Sequence, residues 1–272
     1  MNTLESNPIV LSLVVPVYNE EKELLSVLDY LFSLKFDYSV EWIFVEDCST
    51  DGSLKILQSE QAKYGYRLIE QLSNQGKGAA VIRGIQEAKG EIIIIQDADF
   101  EYDVFDVPKI VQPIIEGKAD VVYGSRFKKS APQVHRTYHY FVNRLLTTLC
   151  NLCSGIYLTD METCYKAFRS ELVKNMNLTS KRFGIEVEFT SYLAKTPARI
   201  HELPICYYPR TQLQGKKINW KDGVAALKHI FYFNFFVSFK EAFSDKLPPQ
   251  FNPATRKTGQ LVYRPKSNHR NA

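Results

Sequence analysis

Three carboxylates, Asp97, Asp99 and Glu101, follow directly on the apolar run Glu91-Ile-Ile-Ile-Ile-Gln96. On an extended segment, residues i, i+2 and i+4 point to one side, so these acids repel one another unless a positive charge sits among them. A divalent cation meets that need, and hard oxygen ligands suit Mg2+ or Mn2+. Such ions keep waters and take one or two carboxylates plus substrate phosphates, which makes Asp97-Ala98-Asp99 a candidate diphosphate anchor. A solvated acidic loop is the alternative. Lys77 lies between Gly76 and Gly78 at a helix start, where glycines let backbone come close to a ligand and the ammonium acts as a point charge. Arg210, Lys216 and Lys217 supply further cations, Arg as a bidentate phosphate fork and Lys as a point charge. For these lysines and Arg210, solvated basic surface is the alternative. Arg126, after Gly124-Ser125, faces either a sugar or phosphate, or an acid nearby as a salt bridge.

These residues need a frame. Apolar runs at 9–17, 41–47, 66–71, 91–96 and 119–126 alternate with segments of helical apolar spacing, five times over the first 125 residues. Near-continuous apolar strands alternating with helices predict an α/β fold with a parallel sheet covered on both faces. Ligands of such sheets sit beyond the carboxyl ends of the strands. Each run here ends in polar residues: Tyr18-Asn19-Glu20, Glu46-Asp47, Asp97-Ala98-Asp99 and Ser125-Arg126. The second half predicts helices over 138–155, 183–195 and 219–243, and strands over 162–169 and 199–210. Gly90 and Gly155 are expected to close helices.

On eight ordered segments the chain resembles the family 2 glycosyltransferases, and in particular the dolichyl- and polyprenyl-phosphate sugar synthases. They are VVPVYNE (14–20), VEDCSTDGS (45–53), NQGKGAA (74–80), QDADFEYD (96–103), VYGSRF (122–127), LTDMETCYKAFR (158–169), FGIEVE (183–188) and YYPRTQLQGKKINWKDG (207–223). The resemblance implies the Rossmann-like GT-A fold, with a mostly parallel central sheet and helices on both faces. It implies that Pro16, Tyr18 and Glu20 line the base and ribose of a nucleotide-diphosphate sugar, that Asp47 contacts the base, and that Lys77 helps hold the nucleotide. Asp97, Asp99 and Glu101 match the metal and diphosphate group, although many relatives carry Gln at the third position. Arg210 and a lysine of the Lys216-Lys217 pair would clamp phosphates from a mobile loop, and Gly-Lys-Lys-Ile in place of the commoner G-x-S-K leaves the register of that lysine open. Glu46 and Cys48 stand where Asp and Gly are common, which alters either base preference or only local packing.

The implied reaction is hexosyl transfer by inverting displacement of a nucleoside diphosphate, with cations stabilising the leaving group. A polyprenyl-phosphate acceptor is already anionic and needs positioning rather than a base. A glycan or protein hydroxyl would need a carboxylate, for which Asp160, Glu186 and Glu188 are candidates. Glu186 and Glu188 diverge by about 200° on a helix, so only one is expected to face the site. Structural hydrogen bonding to loops is their alternative. A protein that binds the nucleotide sugar without turnover is a further alternative, motivated only by Glu46 and Cys48.

The formal net charge of +4 over 272 residues is weak evidence for an anionic partner, and no nucleic acid is expected. Five cysteines with no framework spacing, and no histidine pair to complete a zinc set, predict reduced, buried thiols in a cytoplasmic protein. The N-terminal MNTLESNP has no signal-peptide character, and no run reaches the roughly 18 apolar residues of a membrane span, so a soluble or peripheral protein is expected. Phe231, Tyr232, Phe233, Phe235, Phe236 and Phe239, with lysines at both ends of their helix, either lie on a membrane surface or pack on the sheet or a sister subunit of a homo-oligomer. Residues 1–243 are read as one domain, with a nucleotide half (about 9–127) and an acceptor-side half (about 128–243), and 244–272 as a basic, mobile tail.

Overall fold

The computed structural model describes residues 10–128, 137–182, 184–209 and 220–255. The alternating first half forms β1 (Leu11–Val17), α1 (Leu24–Ser33), β2 (Val40–Glu46), α2 (Ser53–Tyr64), β3 (Arg67–Glu70), α3 (Lys77–Glu87), β4 (Ile92–Ile95), α4 (Val107–Ile115) and β5 (Val121–Ser125). After it come α5 (Thr137–Ser154), β6 (Lys166–Arg169), α6 (Ser170–Val173), α7 (Ile185–Leu193), β7 (Ile200–Pro204), α8 (Trp220–Phe235) and α9 (Phe239–Ala242). The seven strands form one sheet in the order β3-β2-β1-β4-β6-β5-β7. β6 is antiparallel to both its neighbours, β4 and β5, and the other pairs are parallel. The fold is therefore α/β with a mostly parallel mixed sheet.

Both sheet faces are buried, which is why the strands read as continuous apolar runs. Successive residues alternate between two cores. Val14, Ile43, Ile93, Ile95 and Tyr123 pack under α3, α5, α7 and α8, whereas Leu13, Val15, Phe44, Ile92, Ile94 and Val122 pack under α1, α2 and α4. Each of the four isoleucines of β4 is buried and contributes roughly 1.5–3 kcal/mol.

The register sets the site. Val17 aligns with Glu46, Val14 with Ile95, and Glu46 with Glu70, so the carboxyl ends of β1 to β4 share one edge. Because β6 runs the other way, with Tyr123 opposite Lys166, the segment before it (160–165) also arrives at that edge. The two proposed halves therefore share one sheet: β6, from the second, separates β4 and β5 of the first.

Several expectations are corrected. The 219–243 helix is two: α8 ends at Phe235, and α9 is capped by Ser238, whose side chain accepts from Glu241 N–H while Glu241 accepts from Ser238 N–H. α3 ends at Glu87, and Gly90 instead turns into β4 against Ser12, where an added Cβ would lie 2.7 Å from the Ser12 amide. Gly155 does close α5, at φ +73. The tail does not begin at 244. Ser244 N–H donates to Asn175 O at 2.9 Å, Gln250 reaches Glu171 at 3.1 Å and Phe251 is buried, while 256–272 lie outside the described residues. All five cysteines are free, but only Cys150 is buried.

The glycines of NQGKG also differ from expectation. Gly76, at φ +95, and Gly78 let the chain's own segment 180–182 come close, not only a ligand. A Cβ on Gly78 would lie 2.1 Å from Ser180 O, and Ala79 N–H donates to Lys181 O at 3.1 Å. Backbone cannot give way there as a flexible side chain can. Gly78→Ala is expected to lower the unfolding free energy by about 1–3 kcal/mol, read from the urea midpoint. An unchanged midpoint would show that segment 180–182 is not seated on α3.

Candidate active site

The loops at the carboxyl edge are organised by the acids they carry. Glu46, at the end of β2, accepts from the N–H groups of Cys48 (3.0 Å) and Ser49 (2.6 Å). That bends the chain so tightly that Cys48 sits at φ +55, the left-handed region where glycine is ordinarily preferred. Glu46 and Cys48 both take part in the packing of this loop. Asn19, also left-handed at φ +52, ties this turn to the end of β1: its N–H donates to Ser49 Oγ at 3.0 Å and its side chain accepts from Thr50 N–H at 2.8 Å. Pro16, Tyr18 and Glu20 line the same corner, half-buried.

Asp47 was expected against a base. It is buried, and its oxygens are used within the protein: Oδ1 accepts from Gln71 Nε2 and Gln75 N–H, both at 2.8 Å, and Oδ2 from Asn74 Nδ2 (3.0 Å) and Gly76 N–H (2.7 Å). Burial raises its pKa, against the pull of the Gln75 and Gly76 N–H groups. Asp47 thereby fixes the loop that delivers Lys77 to the N-terminus of α3.

The three acids after β4 do not form an extended row. The strand ends at Ile95 and the chain bends over 98–101, with Ala98 buried in the core. Asp97 Oδ1 lies 2.7 Å from Lys77 Nζ. Asp99 Oδ1 accepts from Glu101 N–H at 2.9 Å, and Glu101 Oε2 accepts from Tyr207 Oη at 3.0 Å. Burial, the largest single influence, pulls the Lys77 pKa down, but the acidic groups around it, Asp97 first, together outweigh burial and hold the pKa well above its ordinary value. The same ammonium lies 2.8 Å from Cys164 Sγ, which joins the segment before β6 to the Asp97 tip.

Arg126 and Asp160, candidates for different roles, form one unit. Asp160 is fully buried and accepts from Arg126 Nε at 2.7 Å, Nη2 at 2.8 Å and backbone N–H at 2.9 Å. The guanidinium carbon also lies 5.2 Å from the centre of the Tyr207 ring. Glu202 of β7, not signalled by the sequence, accepts from Thr159 N–H and Oγ1 and from Asp160 N–H at 2.8, 2.9 and 3.1 Å. The salt-bridge alternative for Arg126 is the one observed.

The glutamates of α7 diverge. Glu188 accepts from Thr179 N–H (2.8 Å) and Oγ1 (2.9 Å) and from Ser180 N–H (2.8 Å), fixing the segment seated on Gly78. Burial raises the Glu186 pKa, against the charges of Lys77 and Lys166, and its Oε2 is buried without a hydrogen-bond partner. Glu162, which the motif reading passed over, has Oε1 in the same condition, as does Thr163 Oγ1. Burial first, then the charge of Glu186, pushes Glu162 up to about 8, against Lys166 and Arg126 and with Asp160. Lys166 is wholly buried, is held by the carbonyls of Met161 (3.0 Å) and Thr163, and has its pKa lowered by burial. Arg210, Lys216 and Lys217 lie outside the described residues.

Residues 12–176 match the family described as Glycosyl transferase family 2. A dolichol-phosphate mannosyltransferase of Pyrococcus furiosus is 25% identical over 226 residues, which is 81% of this chain and 62% of that enzyme. A UDP-N-acetylglucosamine–dolichyl-phosphate N-acetylglucosaminyltransferase of Methanococcus voltae is 29% identical over 212 residues, 71% of this chain and 83% of that one. The solved structure of glucosyl-3-phosphoglycerate synthase from Mycobacterium tuberculosis, in complex with Mn2+, UDP and glucosyl-3-phosphoglycerate, superposes with a TM-score of 0.62 at 19% identity. That likeness covers 83% of this chain and 80% of the other and shows a shared fold.

Two outcomes follow from the buried charges. Asp160→Asn leaves Arg126 buried without its counter-charge and is expected to cost about 3–5 kcal/mol of stability, most of it recovered in the double variant Arg126→Met/Asp160→Leu. Equal melting temperatures for Asp160→Asn and the unaltered protein would contradict this. Glu162 binds its proton more tightly folded than unfolded, so stability falls as pH rises from its unfolded value near 4.5 to about 8. Glu162→Gln should flatten that slope in urea titrations at stepped pH, and an unchanged slope would count against the raised pKa.

Proposed function

The chain belongs to glycosyl transferase family 2, and from that premise we propose that it moves a hexose from a nucleoside-diphosphate sugar to a polyprenyl phosphate, with inversion and with Mg2+ or Mn2+ as cofactor. The observation that carries the reading is the opposed charge at the carboxyl edge, where Asp97, Asp99 and Glu101 follow β4 and Lys77 lies 2.7 Å from Asp97. The relatives named above for dolichyl-phosphate acceptors support the choice of acceptor.

The donor set fits a hard divalent ion, since it consists of carboxylate oxygens beside a position where a cation, the Lys77 ammonium, already sits. Among the described residues no three or more His, Cys, Asp or Glu residues close into a metal cage. The ion would be held by Asp97 and Asp99, with Glu101 as a further candidate, and completed by substrate oxygens and water. Bound there, the ion would polarise the diphosphate and offset the charge it gains on leaving. Lys77 would hold the diphosphate as a point charge, joined by Arg210 and by Lys216 or Lys217. Asp47 would act at one remove, by setting the loop that carries Lys77. Pro16, Tyr18 and Glu20 would border the nucleoside. Arg126, held by Asp160 and flanked by Tyr207, would present a fixed positive edge to the sugar or phosphate.

A phosphate acceptor attacks as an anion and needs no base. For a hydroxyl acceptor the three candidates are no longer equal: Asp160 and Glu188 are committed to internal donors, and Glu186 alone of them has a buried oxygen without a partner. Contact with a lipid surface is supported by exposed aromatics. Phe231, Tyr232, Phe235 and Phe236 are 49–74% exposed, and only Phe233 is deeply buried. α8 packs beside α5, where Phe141 and Leu145 are also exposed. Among the described residues no helix is long and apolar enough to cross a membrane. The aromatic face suits lying along the headgroups instead.

Asp99→Asn is the direct test. Mn2+ together with UDP or GDP should raise the melting temperature of the unaltered protein but not of the variant, and transfer of labelled sugar to polyprenyl phosphate should fall by about 10²–10³-fold. Full transfer by the variant would remove the proposed metal and diphosphate role. Transfer to hydroxyl acceptors alone would replace the lipid phosphate as acceptor.

A further inference from the structure

Segment 159–164, which carries Asp160 to the carboxyl edge, has no regular structure. Among the described residues its backbone makes no hydrogen bond to other backbone, so side chains from several elements hold it. Glu202 of β7 accepts from the N–H groups of Thr159 and Asp160. Thr147 Oγ1 of α5 accepts from Met161 N–H at 3.2 Å, and Tyr102 Oη accepts from Cys164 N–H at 3.1 Å. Cations meet the carbonyls. Arg144 Nη1 of α5 donates to Thr159 O at 3.2 Å, and Lys166 Nζ of β6 donates both to Met161 O at 3.0 Å and to Thr163 O.

The segment touches both of the described cations that the donor reading uses. Asp160 accepts from Arg126 Nε at 2.7 Å, and Cys164 Sγ lies 2.8 Å from Lys77 Nζ. Lys166 grips the two carbonyls between those points, that of Met161 next to Asp160 and that of Thr163 next to Cys164.

Lysine is an unexpected residue for this place. Strand alternation puts it on the same face as Phe168, and its cross-strand partner is Tyr123, both of them core residues. It is 1% exposed, and its ammonium lies 4.9 Å from the centre of the Tyr123 ring. That ring is fixed in turn, since the Tyr123 and Thr190 hydroxyls are hydrogen-bonded at 2.9 Å. A buried charge is tolerable only when its protons are met, and an apolar side chain would fill the core at lower desolvation cost. What an apolar side chain cannot do is bond two carbonyls of an irregular loop at once.

We propose that Lys166 is a positioning residue for sugar transfer: by holding the Met161 and Thr163 carbonyls together it sets the separation of Arg126 and Lys77. The inference rests on the reading of those two cations as donor-facing and adds the residue that spaces them. Lys166 itself touches no substrate. Without it the segment between Asp160 and Cys164 is free to spread, and Arg126 shifts with Asp160 while the thiol leaves Lys77.

The test is calorimetric titration in Mn2+ with the diphosphates and monophosphates of uridine, guanosine, cytidine and thymidine, using the full chain. In the unaltered protein the diphosphate of the preferred nucleoside should bind about tenfold or more tighter than its monophosphate, through the charge-assisted bonds of the second phosphate. Lys166→Met should cut that preference to about threefold or less while leaving monophosphate affinity within about twofold. A residue needed only for the integrity of the loop would weaken both ligands alike. Should Lys166→Met fail to fold, Lys166→Gln, which keeps an amide N–H2 as donor, takes its place in the same titrations. An unmoved preference, an equal loss for both ligands, or failure of both variants to fold overturns the positioning role and leaves the donor reading intact. Absence of diphosphate binding, or of any preference for it in the unaltered protein, overturns the donor reading itself.

Discussion

A carboxylate withdrawn from water is tolerable only when donors meet its oxygens, and the carboxyl edge of this sheet is built on that requirement. Glu46 shapes the turn after β2, Asp47 gathers the loop before α3, Glu188 pins the segment at Thr179 and Ser180, and Asp160 immobilises Arg126. Each acid recruits backbone N–H groups from a different loop. Together they hold irregular segments from across the chain in one surface without a regular ladder between them. Glu162 and Glu186 stand apart because they recruit no such partner for one oxygen each. Exceptions to local rules of this kind are expected where a functional site lies.

Much of the frame was legible in the sequence. Continuous apolar runs such as Val14–Val17 and Ile92–Ile95 announced strands buried on both faces, and the polar residues after them marked the edge where the site lies. The acids at 97, 99 and 101 were legible as residues but not as geometry, because period-2 reasoning assumes an extended chain and this one bends over 98–101. The tasks of Glu46, Asp47 and Glu188 were not legible, since they depend on donors 2 to 29 residues away along the chain. Glu202 and Glu162 carried no signal at all. One lies in a strand of mixed character, and the other in a segment whose place at the edge depends on β6 running antiparallel.

The aromatic segment illustrates a different limit. Composition alone could not tell a core stripe from a surface one. The break at Ser238 and the burial of Phe233 alone among Phe231 to Phe236 separate the two. Helical spacing explains the split, since residues 231, 232 and 235 fall on one side of α8 and 226, 230 and 233 on the other.

β6 has one more implication. It lies between β4 and β5, yet about seventy residues of chain separate it from β4, so neither neighbour has a hydrogen-bonding partner on that side until Lys166–Arg169 has been synthesised. A nascent chain that has left the ribosome only as far as Ser125 holds two unsealed strand edges, the all-isoleucine β4 and the Val-Val-Tyr-Gly-Ser of β5, the kind of template on which chains aggregate. Closure of the sheet is a late, high-contact-order event. The carboxyl edge is therefore complete only when the segment bearing Glu162 and Lys166 has arrived.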